Sequence, residues 1–335
     1  MLKFLSKIYE YSIKRINSRF DNNETDIYKP SVPVISVGNL SLGGTGKTPF
    51  VIMLGKFLKE KNLNIGIIGK GYKRQSRGEL LVSDGKEIKT TPENAGDEMF
   101  LLAQKLKAPV LIHNEKYLAA KSIESLFNLD CILLDDGFQH RKLHRNVDIV
   151  LLDDKTLRNP NLIPKGRLRE PISSLNRADI LCLMDINFDR YSIILSEFQD
   201  KLIIECEKKI SMIYNLFNNS SLDGNSKYEF LAISGIGNPE SFHQLLSKNS
   251  IIIKDKINFI DHYNYNLNSV KYIISKCNKN HINYIITTEK DAIKLKNYGE
   301  LFAEHKIEFY VANLDIIIKN NKEEFFDYIM NKINK

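Results

Sequence analysis

The run VPVISVGNLSLGGTGKTPF at 32–50 places an apolar strand, a turn crowded with glycine and an amphipathic helix in direct succession. Gly43, Gly44 and Gly46 let backbone N–H groups turn inward around phosphate oxygens, and the helix that follows adds the positive end of its dipole. Within Gly43-Gly44-Thr45-Gly46-Lys47-Thr48, Lys47 reaches the β- and γ-phosphates and Thr48 offers its hydroxyl to Mg²⁺. The strict pattern G-x-x-x-x-G-K-[ST] has Ser41 where its first glycine belongs. That departure leaves the phosphate-binding physics intact. The other reading is a glycine-rich turn beside a solvated lysine.

Such a loop requires a parallel sheet behind it, and the rest of the chain supplies the pattern. Short apolar runs at 32–37, 64–68, 109–113, 131–134, 147–152 and 180–184 alternate with helix candidates at 47–61, 97–107 and 115–127. Near-continuous apolar strands are buried on both faces, as in an α/β fold. The 335 residues at ~150 per domain allow two domains. Asn215–Lys227, rich in Asn and Ser, has linker chemistry. We therefore expect a mainly parallel P-loop NTPase-like domain over 30–214. A smaller α/β domain over 228–335 follows, with strands at 230–234, 251–253, 284–287 and 309–311.

The first 20 residues stand apart. Leu2, Leu5, Ile8, Tyr9, Ile13, Ile16 and Phe20 recur at helical spacing, while Lys3, Lys7, Lys14, Arg15 and Arg19 oppose only Glu10. A basic amphipathic helix of this kind lies on an anionic membrane surface. Packing of the same stripe on the domain behind it is the competing expectation. No stretch reaches the ~20 apolar residues that cross a bilayer, and no signal-peptide core or cleavage site is present. A net charge of +7, from 48 basic and 41 acidic residues, does not call for a nucleic-acid partner. The four cysteines contain no C-x-x-C pair, so free thiols in a reducing compartment are expected.

A phosphate loop needs a carboxylate for its metal at a neighbouring strand end. Two apolar runs end in acidic pairs, Asp135-Asp136 and Asp153-Asp154. The first is preferred because Gly137-Phe138-Gln139-His140 follows at once; either pair could instead cap the next helix. Gly96-Asp97-Glu98 opens a helix, so Asp97 is either a cap or the base that accepts a proton from an attacking hydroxyl. Gly166-Arg167-Leu168-Arg169-Glu170-Pro171 suits anion binding or ordering of metal waters, or is an exposed charged loop. His262, beside Asp261, is a candidate imidazole in the second domain. Guanine-specific Asn-Lys-x-Asp is not found, which favours ATP, and Leu42 stands where membrane-partitioning ATPases carry a signature lysine.

Taken together, GNLSLGGTGKTP (38–49), GDE (96–98), LLDDGFQH (133–140), VDIVLLD (147–153), GRLREP (166–171), GIGNP (235–239), DHY (261–263) and TTEKDA (287–292) resemble the tetraacyldisaccharide 4′-kinase family over nearly the whole chain and in the same order. The resemblance implies ATP- and Mg²⁺-dependent phosphorylation of the 4′-hydroxyl of an acylated glucosamine disaccharide 1-phosphate at the cytoplasmic face of a bacterial inner membrane. The membrane is reached through the N-terminal helix, and a monomer is expected. Carried over by position, Lys47 and Thr48 resemble the phosphate and metal ligands, and Asp135, Asp136 and Glu170 the metal-side carboxylates. Asp97 resembles the catalytic base, and His262 the histidine that assists it from the other domain. Gln139, His140 and Arg169 match motif positions near the active cleft. Lys70 and Lys116 stand where the family usually has arginines, and Tyr263 where it has a second histidine; lysine keeps the charge but loses bidentate geometry.

Two other classes remain to be weighed: a switch-type ATPase that binds a membrane and recruits a protein, and a nucleic-acid motor. The second would need a basic groove interleaved with aromatics. Here the basic residues gather at the N-terminus instead. Dependence of ATP turnover on an acylated acceptor, or on a partner protein, separates kinase from switch.

Overall fold

The computed structural model describes residues 1–222 and 228–334. The chain divides into two compact units, one formed by Met1–Glu207 with Ile316–Lys335 and the other by Lys208–Asp315. The last five residues of the expected linker, 223–227, lie outside the described residues, as does Lys335.

The first unit is built on β1 (Val34–Asn39), β2 (Ile65–Gly69), β3 (Leu80–Asp84), β4 (Pro109–Ile112), β5 (Cys131–Asp135), β6 (Val147–Leu152), β7 (Ile180–Met184) and the start of β8 (Leu202–Asn215). Their order is β8-β7-β6-β1-β5-β2-β4-β3. Neighbours are parallel, except that β3 runs antiparallel on β4. Every residue of β1, β5 and β6 is buried, which is why these segments read as near-continuous apolar runs. β1 lies between β5 and β6, with Val37 opposite Asp135 and Asn39 opposite Leu151. The glycine turn and the first acidic pair therefore emerge side by side at the carboxyl ends of adjacent strands, where open α/β sheets bind ligands.

Helices Lys47–Glu60, Asp97–Leu106 and Lys116–Leu126 match the expected segments to within a residue at each end. The helix Lys322–Ile333 belongs to this unit as well, whereas the sequence places it with the second domain. Phe325 meets Phe50 edge-on at 6.0 Å and Phe326 stacks on Phe57 at 3.8 Å. An amphipathic pattern shows that a helix has a face to bury, not which neighbour covers it.

The helix Leu2–Asp21 divides its expected apolar face. Ser6 is buried, and Tyr9, Ile13, Asn17 and Phe20 are partly covered. Leu2, Phe4, Leu5, Ile8, Tyr11 and Ile16 remain exposed, Phe4 at 67% and Tyr11 at 69%. Packing takes one narrow stripe of the helix and leaves a wider apolar surface uncovered. Among the described residues no helix is long and apolar enough to cross a membrane.

In the second unit, β9 (Glu229–Ser234), β10 (Ile252–Asn258), β11 (Tyr284–Thr288) and β12 (Glu308–Ile318) pair in parallel in the order β10-β9-β11-β12. Helices Pro239–Lys248 and Leu267–Asn280 accompany them, the latter opened by a capping box between Asn266 and Ser269. All four cysteines are buried, and none of them forms a disulfide.

Candidate active site

The turn after β1 is shaped by glycine where backbone geometry demands it. Gly43 and Gly46 have φ of +110° and +99°, a region side chains rarely enter. Gly46 caps the helix Lys47–Glu60 without any side-chain hydrogen bond among the described residues, so the first-turn amides face the turn. Asn39, at the end of β1, ties it together. Its Nδ2 donates to Thr45 Oγ1 at 3.0 Å, and its Oδ1 accepts from Lys47 Nζ at 3.1 Å. Sequence reasoning did not single out Asn39. Its signal was a polar residue closing a strand otherwise buried and largely apolar. Thr48 is buried in the first helical turn.

Asp135 and Asp136 follow at the end of β5. Asp136 adopts a left-handed backbone with φ of +53°, which turns its carboxylate toward the loop. Lys47 Nζ lies 3.4 Å from Asp136 Oδ1, and Arg169 Nη1 donates to both Asp136 oxygens at 3.1 and 2.9 Å and to Gln139 Oε1 at 3.2 Å. Gln139 Nε2 in turn donates to the Asn39 carbonyl at 3.0 Å. Burial alone would push the Asp136 carboxyl up, but Lys47, Lys116 and Arg169 together hold it well below the usual carboxylate range. Asp135 behaves oppositely. Burial, then the charges of Glu98 and Asp136, push it up to about 7, and its Oδ1 is buried with no hydrogen-bond partner among the described residues.

That orphaned oxygen is the observation that tests the metal. A carboxyl oxygen denied both solvent and a donor is what a bound cation would relieve, and the hydroxyl of Thr48 belongs to the same oxygen-rich donor set that Mg²⁺ prefers. Asp135 and Thr48 fit the ion. Asp136 is already held by Lys47 and Arg169. The oxygens of Glu170 accept from Arg177 Nη2 at 3.1 and 2.8 Å, and Oε2 also accepts from Asn17 Nδ2 at 2.9 Å. The second acidic pair is structural. Asp153 caps a short helix through Thr156 N at 2.8 Å, and Asp154 pairs with Arg158 and Arg190.

The remaining expected residues fall at different distances from this centre. Lys116, at a position where the family usually has an arginine, is 2% exposed, and its Nζ donates to the Asp135 and Asp136 carbonyls at 2.8 and 2.5 Å. His140 is held neutral near neutral pH, its pKa lowered to about 3 by burial and then by Lys116. Lys70 is exposed, and its charge also acts on His140. Asp97 is buried at the first position of its helix, after Gly96 with φ of +81°. Glu98, next along, raises the Asp135 pKa, so this helix begins at the acidic turn. Arg167 donates to the Leu42 carbonyl at 3.1 and 2.6 Å, clasping the GRLREP loop to the glycine turn.

His262 belongs to the second unit. Its backbone is left-handed, with φ of +58°, and its N–H donates to the Gly235 carbonyl at 2.9 Å. Gly235 N donates to Asp291 Oδ2 at 3.0 Å, Thr288 Oγ1 donates to the same oxygen at 2.7 Å, and Tyr265 Oη donates to Asp291 Oδ1 at 2.9 Å. The buried carboxyl of Asp291 thus holds Gly235 of the GIGNP segment, whose carbonyl accepts from His262 of DHY, a role for Asp291 that the sequence did not reveal.

A glycine turn whose helix-borne lysine faces a strand-end carboxylate defines a P-loop nucleotide-binding unit of the phosphotransferase kind. The profile of the family described as "Tetraacyldisaccharide-1-P 4'-kinase" matches residues 1–334, and the chain belongs to that family. It is 35% identical to the tetraacyldisaccharide 4′-kinase of Halothermothrix orenii, over 95% of this chain and 89% of that protein. With the enzyme of the same name from Aquifex aeolicus it shares 36% identity, over 89% and 90% of the two chains. Among solved structures, the "apo" form of LpxK from Aquifex aeolicus in complex with ATP superposes with a TM-score of 0.77 at 31% identity, covering 98% of this chain and 97% of that one.

Proposed function

We propose a division of labour among these residues for the reaction of this family, the ATP-dependent phosphorylation of the 4′-hydroxyl of an acylated glucosamine disaccharide 1-phosphate. The turn Gly43–Lys47 cradles the β- and γ-phosphates, and Lys47, steered by Asn39 and Asp136, neutralises charge as it develops on the transferred group. Thr48 and Asp135 would hold Mg²⁺, which when bound screens the phosphate oxygens. Asp97 takes the proton of the 4′-hydroxyl as its oxygen bonds to the γ-phosphorus and the bond to the bridging oxygen of ADP breaks. Arg169 and Gln139 hold the acidic turn, while Lys70 and His140 stand beside it as contacts for the anionic lipid head group.

A lipid acceptor requires the enzyme at a membrane. We assign the exposed side chains of Leu2, Phe4, Leu5, Ile8, Tyr11 and Ile16 to insertion at the cytoplasmic face of the inner membrane, with the flanking basic residues adding about 1 kcal/mol each on an anionic surface. The catalytic unit is a monomer in this reading.

The observation that carries the proposal is Lys47 held between Asn39 and Asp136 beside a buried carboxyl with an unpartnered oxygen. Incubation with ATP and an acylated disaccharide 1-phosphate, followed by mass spectrometry of the lipid, should show the gain of one phosphate. An unchanged lipid mass with ATP consumed would reject it.

A further inference from the structure

One loop joins the N-terminal helix to the arginine that clamps the acidic turn. Ser6 Oγ donates to the Leu162 carbonyl at 3.0 Å and accepts from Lys165 N at 3.0 Å. Tyr9 Oη donates to the Arg169 carbonyl at 2.8 Å, and Asn17 Nδ2 donates to Glu170 Oε2 at 2.9 Å. The helix is held from a second side by Arg141, whose Nη1 donates to the Asn17 carbonyl at 3.0 Å and whose Nη2 pairs with Asp21 at 2.7 Å. The Arg141 guanidinium also lies over the Phe20 ring, 5.1 Å from its centroid.

These contacts end on the machinery itself. Arg169, whose carbonyl takes Tyr9, grips both oxygens of Asp136 with its guanidinium. Glu170, whose carboxylate takes Asn17, also holds Arg177, and Arg177 lies 4.6 Å over the ring of Phe138. Phe138 and Arg141 lie in the chain directly after Asp135 and Asp136. The polar stripe of the helix is therefore attached on both flanks of the acidic turn, while the exposed apolar stripe takes no part in these bonds. A helix needed only as a membrane anchor has no use for Tyr9 and Asn17 on its inner face.

We propose that the docked N-terminal helix is a positioning element of the phosphoryl-transfer site, with Tyr9 and Asn17 as positioning residues that fix Arg169 and Glu170 and, through them, the Asp136–Lys47 pair. This rests on the kinase reading above. Undocking the helix frees the 162–170 loop, and Arg169 then loses its grip on Asp136.

The test uses the full chain with Tyr9→Phe, Asn17→Ala and the pair together, assayed on detergent-dispersed lipid so that membrane recruitment does not limit the rate. We expect kcat to fall roughly 10-fold or more in the double variant, with KM for the lipid within about twofold of the parent. Co-sedimentation with anionic phosphatidylglycerol vesicles should be unchanged, and Asn17→Gln should recover part of kcat. Amide hydrogen exchange, which needs no activity, should quicken at 136–141 and 165–170 in the double variant and separates failure of this inference from failure of the kinase reading. The single Tyr9→Phe exchange removes one oxygen and keeps the fold, so it reports even if the double variant unfolds. Parental kcat with parental exchange rates would overturn the inference. So would a loss of activity that tracks vesicle binding alone.

Discussion

The ammonium of Lys116 lies directly beneath the acidic turn, donating to the main-chain carbonyls of Asp135 and Asp136. Because it is buried, its own pKa is lowered to about 8 by desolvation, against the pull of the two carboxylates. It holds Asp136 in its left-handed backbone and supplies part of the charge that keeps that carboxylate ionised. Lys116→Met keeps the volume and removes the donors. The Asp135 and Asp136 carbonyls then lose the donor that Lys116 supplies, at about 1–3 kcal/mol in all. Thermal unfolding should show this loss, and turnover should drop far more than nucleotide affinity. A variant as stable and active as the parent would remove Lys116 from the site's support.

Gly38 marks a second point where the site depends on backbone proximity. A Cβ at this position would come within 2.7 Å of Phe138 Cβ and 2.9 Å of Phe138 N. Since main chain cannot swing aside as a side chain can, Gly38→Ala should push the acidic turn away from β1 and cost about 1–3 kcal/mol. Urea denaturation gives the stability change and titration with an ATP analogue the accompanying loss of affinity.

Much of this centre was legible in sequence because chain-local chemistry specifies it. The strand, turn and helix around Lys47 are contiguous, and so is the run from Cys131 to His140. The contacts from Glu170 to Asn17 and Arg177, from Arg169 to Asp136, and from Tyr9 to the Arg169 carbonyl join segments up to 160 residues apart. Periodicity carries no information about such pairs. The motif position of Glu170 did not reveal that Asn17 and Arg177 hold its carboxylate. β3 escaped notice because it is a five-residue antiparallel edge strand with only two fully buried positions. β8 was missed because its burial pattern is too mixed to read as a core strand.

Asp97 separates its two possible roles by experiment. As a charge in the first turn of its helix it favours the helix dipole and so contributes stability, and as a base it contributes to the rate. Asp97→Ala should lower kcat by about 10²–10⁴-fold, the range for a lost general base, with ATP-analogue affinity roughly kept. Asp97→Asn retains the shape and an accepting oxygen while removing the charge, and should keep more of the stability than the alanine without restoring turnover. Recovery of turnover by the asparagine would reject the base assignment.

Asp291 gives the second unit a distinctive response to pH. Burial raises its pKa, opposed by the Gly235 N–H, the Thr288 and Tyr265 hydroxyls and the charge of Lys294, and the net direction is upward. Between the ordinary carboxylate range and the raised value, the native protein keeps a proton that the unfolded chain has released. The folded state then binds more protons, so stability from this group is fully present below the unfolded pKa and is lost as pH rises through the folded one. Asp291→Asn abolishes that titration. It also presents an amide N–H₂ in place of one oxygen, where the Gly235 N–H or the Tyr265 hydroxyl now donates. Urea unfolding followed from pH 4 to pH 8 should therefore show a flatter profile for the variant. At neutral pH its stability should be lower by about 1–3 kcal/mol, and the turn that holds the His262 N–H against Gly235 should exchange its amide protons faster. An unaltered pH slope would mean that Asp291 is ionised in both states and that its hydrogen bonds alone organise this turn.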